Sequence, residues 1–294
     1  MTPRALVVPF TKMQGAGNDF VVLDNRFLHF TDAELAGLAR RYCPRRFGVG
    51  ADGLLALSPP AEDGADFRMR YFNADGSLGT MCGNGARCLA RYAREAGVHG
   101  EPLGEGRTRL VFDTDGGRYT ADVAADGRTV RLHVPPPRGF GRVTLREADV
   151  EGETYGIWTG TEHTVRFVDR VEEAPVGIEG PAIRYDPALA PTGANVNFVA
   201  VEENGPEARI AVRTYEKGVE AETLACGTGA LAAALVARLT GRVYAQAIAV
   251  RMPGGVLGVQ FQLPEGATEA GAVTDLTLQG PAEVVYQGTL EMTT

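Results

Sequence analysis

Lysine is nearly missing from this chain: of 294 residues only Lys12 and Lys217 are lysine. A pyridoxal-phosphate enzyme needs a lysine for its Schiff base, and neither of these has a supporting context, so we expect no such cofactor. Cysteine is scarce too. Its four copies include no Cys-x-x-Cys pair, which excludes a stapling disulfide framework and makes reduced thiols in cytoplasm the default. The four histidines, His29, His99, His133 and His163, form no cluster with metal-ligand spacing, so no metal is expected. No apolar run approaches the roughly eighteen residues of a membrane span. Ala5-Leu-Val-Val8 is too short for the core of a signal peptide, so a cytoplasmic protein without membrane contact is expected. A net charge of -8 with no basic block argues against nucleic-acid binding.

What the chain does have is glycine, 38 residues, and proline, 17, in a composition otherwise ordinary for a globular protein. So many turn formers favour short strands over a helical bundle, and the length suits one large or two medium domains. Residues 5–10 read as a first strand, followed by a glycine turn that leaves Asn18 and Asp19 at the mouth of the next strand. Thr31-Asp-Ala-Glu34 is a capping box that starts a helix to about Arg41. Phe67-Arg-Met-Arg-Tyr-Phe72 alternates as a half-buried strand and ends in the turn Asn73-Ala-Asp-Gly76. Short strands then run from Arg107 to Val134, and Pro135-Pro-Pro137 is the best candidate for a linker. Further strands are expected near residues 153–159, 164–168, 194–200 and 208–214, and four more close the chain after residue 245. Asn195 and Asn197 share a strand face, as residues lining a cleft would.

Two stretches echo each other: Met81-Cys-Gly-Asn-Gly-Ala-Arg-Cys-Leu-Ala-Arg-Tyr92 and Ala225-Cys-Gly-Thr-Gly-Ala-Leu-Ala-Ala-Ala-Leu235. Each reads as a cysteine, a Gly-x-Gly turn and a helix, with Asn84 and Thr228 placed to cap helices from about Gly85 and Gly229. Such a start aims backbone N–H groups and the positive end of a helix dipole at one small volume. An anion is held there, and a thiol beside it is pulled towards the thiolate. Cys43 and Cys88 read instead as packing residues.

A thiol hydrolase would want a histidine partner, and only His163, in Thr159-Gly-Thr-Glu-His-Thr164, sits at a turn that could edge a cleft. The Gly-x-Gly turns are too short for a dinucleotide or Walker fingerprint. Paired thiols have a rarer use, in which one removes a proton from a carbon acid and the other returns one to the opposite face. Helix N-termini aimed at the substrate carboxylate would stabilise the charge that develops. From the residues alone, that reading stands beside a thiol hydrolase and beside helix starts with a structural role only.

Lys12-Met-Gln-Gly-Ala-Gly-Asn-Asp-Phe20, Asn73-Ala-Asp-Gly76, Cys82-Gly-Asn-Gly-Ala-Arg-Cys88, Asn195-Val-Asn197 and Glu222-Thr-Leu-Ala-Cys-Gly-Thr-Gly-Ala230 together resemble the diaminopimelate epimerases, cofactor-independent amino-acid racemases, across nearly the whole chain. The resemblance implies an α/β (α+β) fold of two pseudo-symmetric domains, each with strands wrapped around a central helix. We place these at 1–134 plus 279–294, carrying Cys82, and at 135–278, carrying Cys226. It implies interconversion of LL- and meso-2,6-diaminopimelate, on the route to lysine and peptidoglycan. Cys82 and Cys226 would be the acid and base, and Gly83, Asn84, Gly227 and Thr228 would embrace the α-carboxylate through backbone N–H groups. Asn18, Asn73 and Asn195 would read the distal end, with Glu216 accepting from its ammonium. It implies a small-molecule amino-acid substrate, no cofactor, and a monomer or homodimer. Three departures touch substrate recognition. Lys217 stands where the family often has arginine, the loop from Glu216 to Cys226 is one residue longer, and Thr161 replaces an asparagine ahead of His163. They keep a racemase of another amino acid open as an alternative, and a non-catalytic binding module on this fold is the reading from a different class.

Overall fold

The computed structural model describes residues 5–293, so residues 1–4 and 294, the outermost of the expected N-terminal domain, lie outside the described residues. The chain divides into two compact units; one runs to Leu132 and is completed from Gly280 onward, and the other is His133–Gln279. The proline run at 135–137 follows the junction.

Both units are mixed α and β structure with the same strand order. In the first, Ala5–Gly15 pairs antiparallel with Asn18–Asp24, which pairs parallel with Gly53–Ser58. Gly53–Ser58 is antiparallel to Phe67–Asn73, whose start runs parallel to Arg107–Thr114, itself antiparallel to Gly117–Val123. In the second, the same sequence of pairings links Thr154–Trp158, Glu162–Phe167, Asn195–Glu203, Ala208–Glu216, Ala247–Met252 and Gly255–Gln262. A returning strand, Glu283–Thr293, lies antiparallel along Ala5–Gly15.

Each unit wraps its strands around one helix. Gly83–Glu95 lies against the first four long strands and Gly117–Val123 of its unit, and Ala86, Leu89, Ala90 and Ala93 are fully buried. Gly227–Leu239 is buried along nearly its whole length, from Gly227 to Leu239 except Thr228 and Arg238. Its Ala-rich sequence explains this, because small side chains let six surrounding strands approach the helix closely. The helix after the capping box spans Asp32–Tyr42, and both box bonds are present.

The two cysteine helices begin earlier than their sequences suggest. Cys82 and Cys226 themselves occupy the N-cap positions, in extended conformation, and neither side chain makes a capping bond. Asn84 and Thr228 lie inside the first turn rather than at the cap. The physical reason is the glycine after each cysteine: it takes helical angles as readily as any other, so the first turn closes there, with Ala86 N–H donating to Cys82 O and Ala230 N–H to Cys226 O. The first strand also outruns its expected end at residue 10, continuing to Gly15 before a turn at Ala16 and Gly17, both with positive φ.

In the second unit Asp186 acts as a clasp. Its buried carboxylate accepts from the backbone N–H groups of Arg146, Glu147, Ala148 and Ala188 at 2.8–3.1 Å. Burial pushes its pKa up, but these four donors outweigh burial and lower it from 3.8 to about 2. The stability it contributes is therefore complete above pH 3.8 and lost as the pH falls towards 2. Asp186→Asn is expected to lower the melting temperature by about 5 °C near neutral pH. It should also flatten the acid limb of the stability curve, which melting scans from neutral to acid pH would read.

Candidate active site

In the first unit the candidate site grows from the strand ends beside Cys82. The tight turn after Gly15 places Asn18 at the start of its strand, where its side-chain Nδ2 donates to Asp52 Oδ2 at 2.5 Å. Its Oδ1 accepts from the Cys82 thiol and from Asn84 Nδ2, each at 3.5 Å. Asp52 in turn is held by Arg45 at 2.8 Å, and Arg45 also grips Asp19 in a fork at 2.7 and 3.0 Å. Buried Lys12 completes the cluster, 2.8 Å from Asp19 and bonded to the Gly50 carbonyl. Burial raises the pKa of Asp19, but Arg45 and Lys12 overcome this and bring it to about 2, so the carboxylate is ionised in any working range. The carboxylate of Asp52 can only accept, so it dictates which end of the Asn18 amide faces Cys82.

Asn84 is buried with its Oδ1 taken by Arg87 at 2.8 Å. Asn73 closes its own turn instead: its Nδ2 donates to Ser77 Oγ at 2.9 Å and its Oδ1 accepts from Tyr71 at 2.7 Å. The other two thiols are inert. Burial pushes both Cys43 and Cys88 up to about 12, so they stay protonated.

The corresponding site of the second unit has the same skeleton and different residues. Cys226 Sγ lies 3.5 Å from the Thr228 hydroxyl. Thr159 Oγ1 donates to the Thr228 carbonyl at 2.9 Å, tying the turn at 159–161 to the helix start. Gly229 is required there, because a Cβ would stand 2.5 Å from Asn197 Oδ1 and 3.3 Å from Cys226 Sγ. Asn197 does not face a cleft as its strand position suggested. It is fully buried, donating to Thr164 O at 2.8 Å and accepting from Thr214 Oγ1 at 2.9 Å, and so acts as a support. Its Nδ2 also lies 3.1 Å from His163 Nδ1. Burial, with the Lys217 charge nearby, lowers the pKa of His163 to about 3, so the ring is neutral.

Asn195 accepts from the Lys217 backbone N–H at 2.8 Å and donates to the Glu162 carbonyl at 3.3 Å. Lys217 Nζ reaches Glu162 Oε2 at 2.6 Å, and Thr161 donates to that same oxygen at 3.1 Å. Glu162 is thus where the two departing residues, Thr161 and Lys217, converge. Glu216 accepts from Thr223 Oγ1 at 2.8 Å across the hairpin. Sequence reading missed Asp52, Arg87 and Glu162. Arg87 had a signal, since it lies one helical turn from Asn84 inside a motif already singled out. Asp52 and Glu162 had only their place beside a glycine turn and a histidine. Among the described residues no three His, Cys, Asp or Glu side chains gather as a metal site, and no helix is long and apolar enough to cross a membrane.

Comparison with known proteins bears on the fold and the family. The hydroxyproline epimerase of Agrobacterium vitis superposes with a TM-score of 0.67 over 99% of this chain and 93% of its own, at 17% identity. A phenazine biosynthesis protein of the PhzF family from Bacillus anthracis gives 0.70 over 97% and 99%, at 14% identity. Likeness at such identity is one of fold. In sequence, the diaminopimelate epimerase of Chlorobaculum tepidum is 38% identical over 95% of this chain and 100% of its own. The family model for diaminopimelate epimerase matches residues 10–138 and 155–275, which include every residue described around Cys82 and Cys226, and this chain belongs to that family.

Proposed function

We propose that the protein interconverts LL-2,6-diaminopimelate and meso-2,6-diaminopimelate, using Cys82 and Cys226 as the acid and base at the α carbon. The observation that carries the reading is the pair of cysteines at uncapped helix starts, one in each half of a family match that spans most of the chain. An α-amino acid is a weak carbon acid, so its anion forms at a useful rate only where charge running into the carboxylate is stabilised. The first-turn N–H groups at Gly83, Asn84, Gly227 and Thr228 lack intrahelical acceptors by construction and would serve that carboxylate. Asn18 Oδ1 offers the Cys82 S–H an acceptor and so favours its thiol form. The Thr228 hydroxyl can donate to a Cys226 thiolate. That asymmetry suits a resting state with one acid and one base, whose roles exchange after each inversion.

Asn18 stands ready to read the substrate in the first half-site, and Asn195, Thr161, Lys217 and Glu216 in the second, with His163 as a neutral support. The role of Asn73 is set by its turn, which leaves the Tyr71 and Ser77 bonds to be exchanged for substrate. A racemase of another amino acid is the second reading, favoured by the pairing of Lys217 and Thr161 with Glu162. The deciding experiment incubates reduced protein with LL-diaminopimelate in deuterated water, in parallel with a panel of free amino acids. Deuterium at the α carbon with formation of the meso isomer is expected. Exchange confined to another amino acid would move the assignment to the second reading, and no exchange with any would end both.

A further inference from the structure

Arg87 is the largest fully buried side chain of the described residues, and it carries a charge. Its guanidinium donates to Asn84 Oδ1 at 2.8 Å, and at longer range to the Pro281 carbonyl at 3.4 Å and the Gly83 carbonyl at 3.5 Å. Among the described residues no carboxylate forms an ion pair with it, and burial lowers its pKa from the ordinary value. A guanidinium stays protonated even so. Burying a charge without a counter-ion is strongly unfavourable, and an apolar side chain of similar volume commonly packs as well or better. Its neighbours on the helix, Ala86, Cys88, Leu89 and Ala90, are just such fully buried packing residues. Stability does not account for an arginine at this position, and the half-site in front of it does.

We propose that Arg87 is a positioning residue for the epimerisation: a permanent positive charge behind the first turn of the Cys82 helix that sets the polarity of the Asn84 amide and favours negative charge at the helix start. A guanidinium only donates, so it captures Asn84 Oδ1 and turns Nδ2 towards Asn18 Oδ1. Asp52 fixes the Asn18 amide from the other side. Both side-chain amides next to Cys82 therefore take their orientation from charges set one residue further out. The helix dipole supplies about half a positive charge at this end, and Arg87 places a whole one behind it. The inference rests on Cys82 being one of the two acid–base thiols.

The test compares Arg87→Met, Arg87→Gln and Arg87→Lys in the full chain, reading melting temperature, kcat, KM and the pH dependence of Cys82 alkylation by iodoacetamide, followed by peptide mass spectrometry. Charged and titratable groups around Cys82 besides Arg87 include Cys88 on the same helix and, beyond Asn18, the Asp52, Arg45, Asp19 and Lys12 cluster, all unchanged in the variants. Arg87→Met should melt within about 5 °C of the parent. Its kcat should fall at least about tenfold with a smaller change in KM, and the half-maximal pH of alkylation should rise by about one unit. Arg87→Lys should restore the alkylation midpoint and most of kcat. Arg87→Gln keeps a donor for Asn84 but no charge, so it should raise the midpoint as well, and it decides the matter if Arg87→Met does not fold. An unmoved midpoint in the neutral variants, or a kcat within twofold of the parent, would overturn the proposal. So would a lysine variant no better than methionine. If Cys82→Ser stays active, the thiol reading fails instead, whatever Arg87 does.

Discussion

Replacing either Cys82 or Cys226 with serine is expected to abolish epimerisation, lowering kcat at least about a thousandfold, while Cys43→Ala and Cys88→Ala keep most of the activity. The difference follows from where each sulfur lies. Cys82 and Cys226 cap helix starts with no capping bond of their own, in the field of N–H groups that favours a thiolate. Cys43 and Cys88 are buried, and burial holds both at about 12, so neither exchanges protons at neutral pH. A serine hydroxyl fits either N-cap position but is far too weak an acid to ionise there, which removes the base or the acid without disturbing the fold. The loss of proton transfer by a positioned group accounts for about 100- to 10000-fold, consistent with the expected drop. Each variant should also separate exchange from inversion. With one thiol left, proton removal and return are confined to one face, so deuterium can enter the α carbon of one epimer without producing the other. Nuclear magnetic resonance of the α proton beside a chiral assay distinguishes the two outcomes. Full inversion by Cys82→Ser or Cys226→Ser would refute the two-thiol assignment. Loss of activity in Cys88→Ala with an unchanged melting temperature would move it to the buried sulfur.

The cysteine starts could be read from the chain because their chemistry is local: a thiol, two glycines and a helix lie within a few consecutive residues. The equivalence of the residues around them could not. Phe20 pairs with Gly53 in one unit, and His163 pairs with Asn195 in the other. Counting back two residues along those strands sets Asn18 in the place of Thr161. Asn73 lies opposite Gly53, and Val196 lies opposite Tyr215, so Glu216 takes the corresponding place beside Asn195. The two halves thus keep matching positions while changing the side chains, and a repeat of positions with different residues leaves no trace in composition or motif. Asp52 and Glu162 were missed for a related reason. Each acts on a neighbour set by strand pairing or by a turn, and a carboxylate in a polar loop carries no local mark of that partner. Asn195 and Asn197 show the opposite error. Period two places both on one face, but the helix start at Gly229 packs over Asn197 and converts it from a lining residue into a support.

Lys217→Met and Glu162→Gln are each expected to raise KM for diaminopimelate by about ten- to a hundredfold with a smaller change in kcat, whereas Lys217→Arg stays close to the parent. The distal end of this substrate is a second amino acid, with an ammonium and a carboxylate. Lys217 and Glu162 form an ion pair 2.6 Å apart, Glu162 at the start of its strand and Lys217 just past the end of its own, with both members partly exposed. Such a pair is complementary to a zwitterion: Lys217 can turn to the carboxylate and Glu162 to the ammonium, exchanging one contact for two. A hydrogen bond to a charged group is worth about 1.5–3 kcal/mol, and a factor of ten in affinity is about 1.4 kcal/mol, which sets the range of the expected rise. The Lys217 backbone N–H is pinned by Asn195, so the side chain swings from a fixed root, and arginine there keeps the charge and adds a fork suited to a carboxylate. Residues that bound only the far end would leave the exchange chemistry at the α carbon intact. The informative comparison is therefore KM and kcat for diaminopimelate beside those for an amino acid that lacks the distal group. Equal losses on both substrates would make Lys217 and Glu162 structural. A loss confined to diaminopimelate identifies them as its readers: with Glu162 as its partner, a point charge at Lys217 is sufficient.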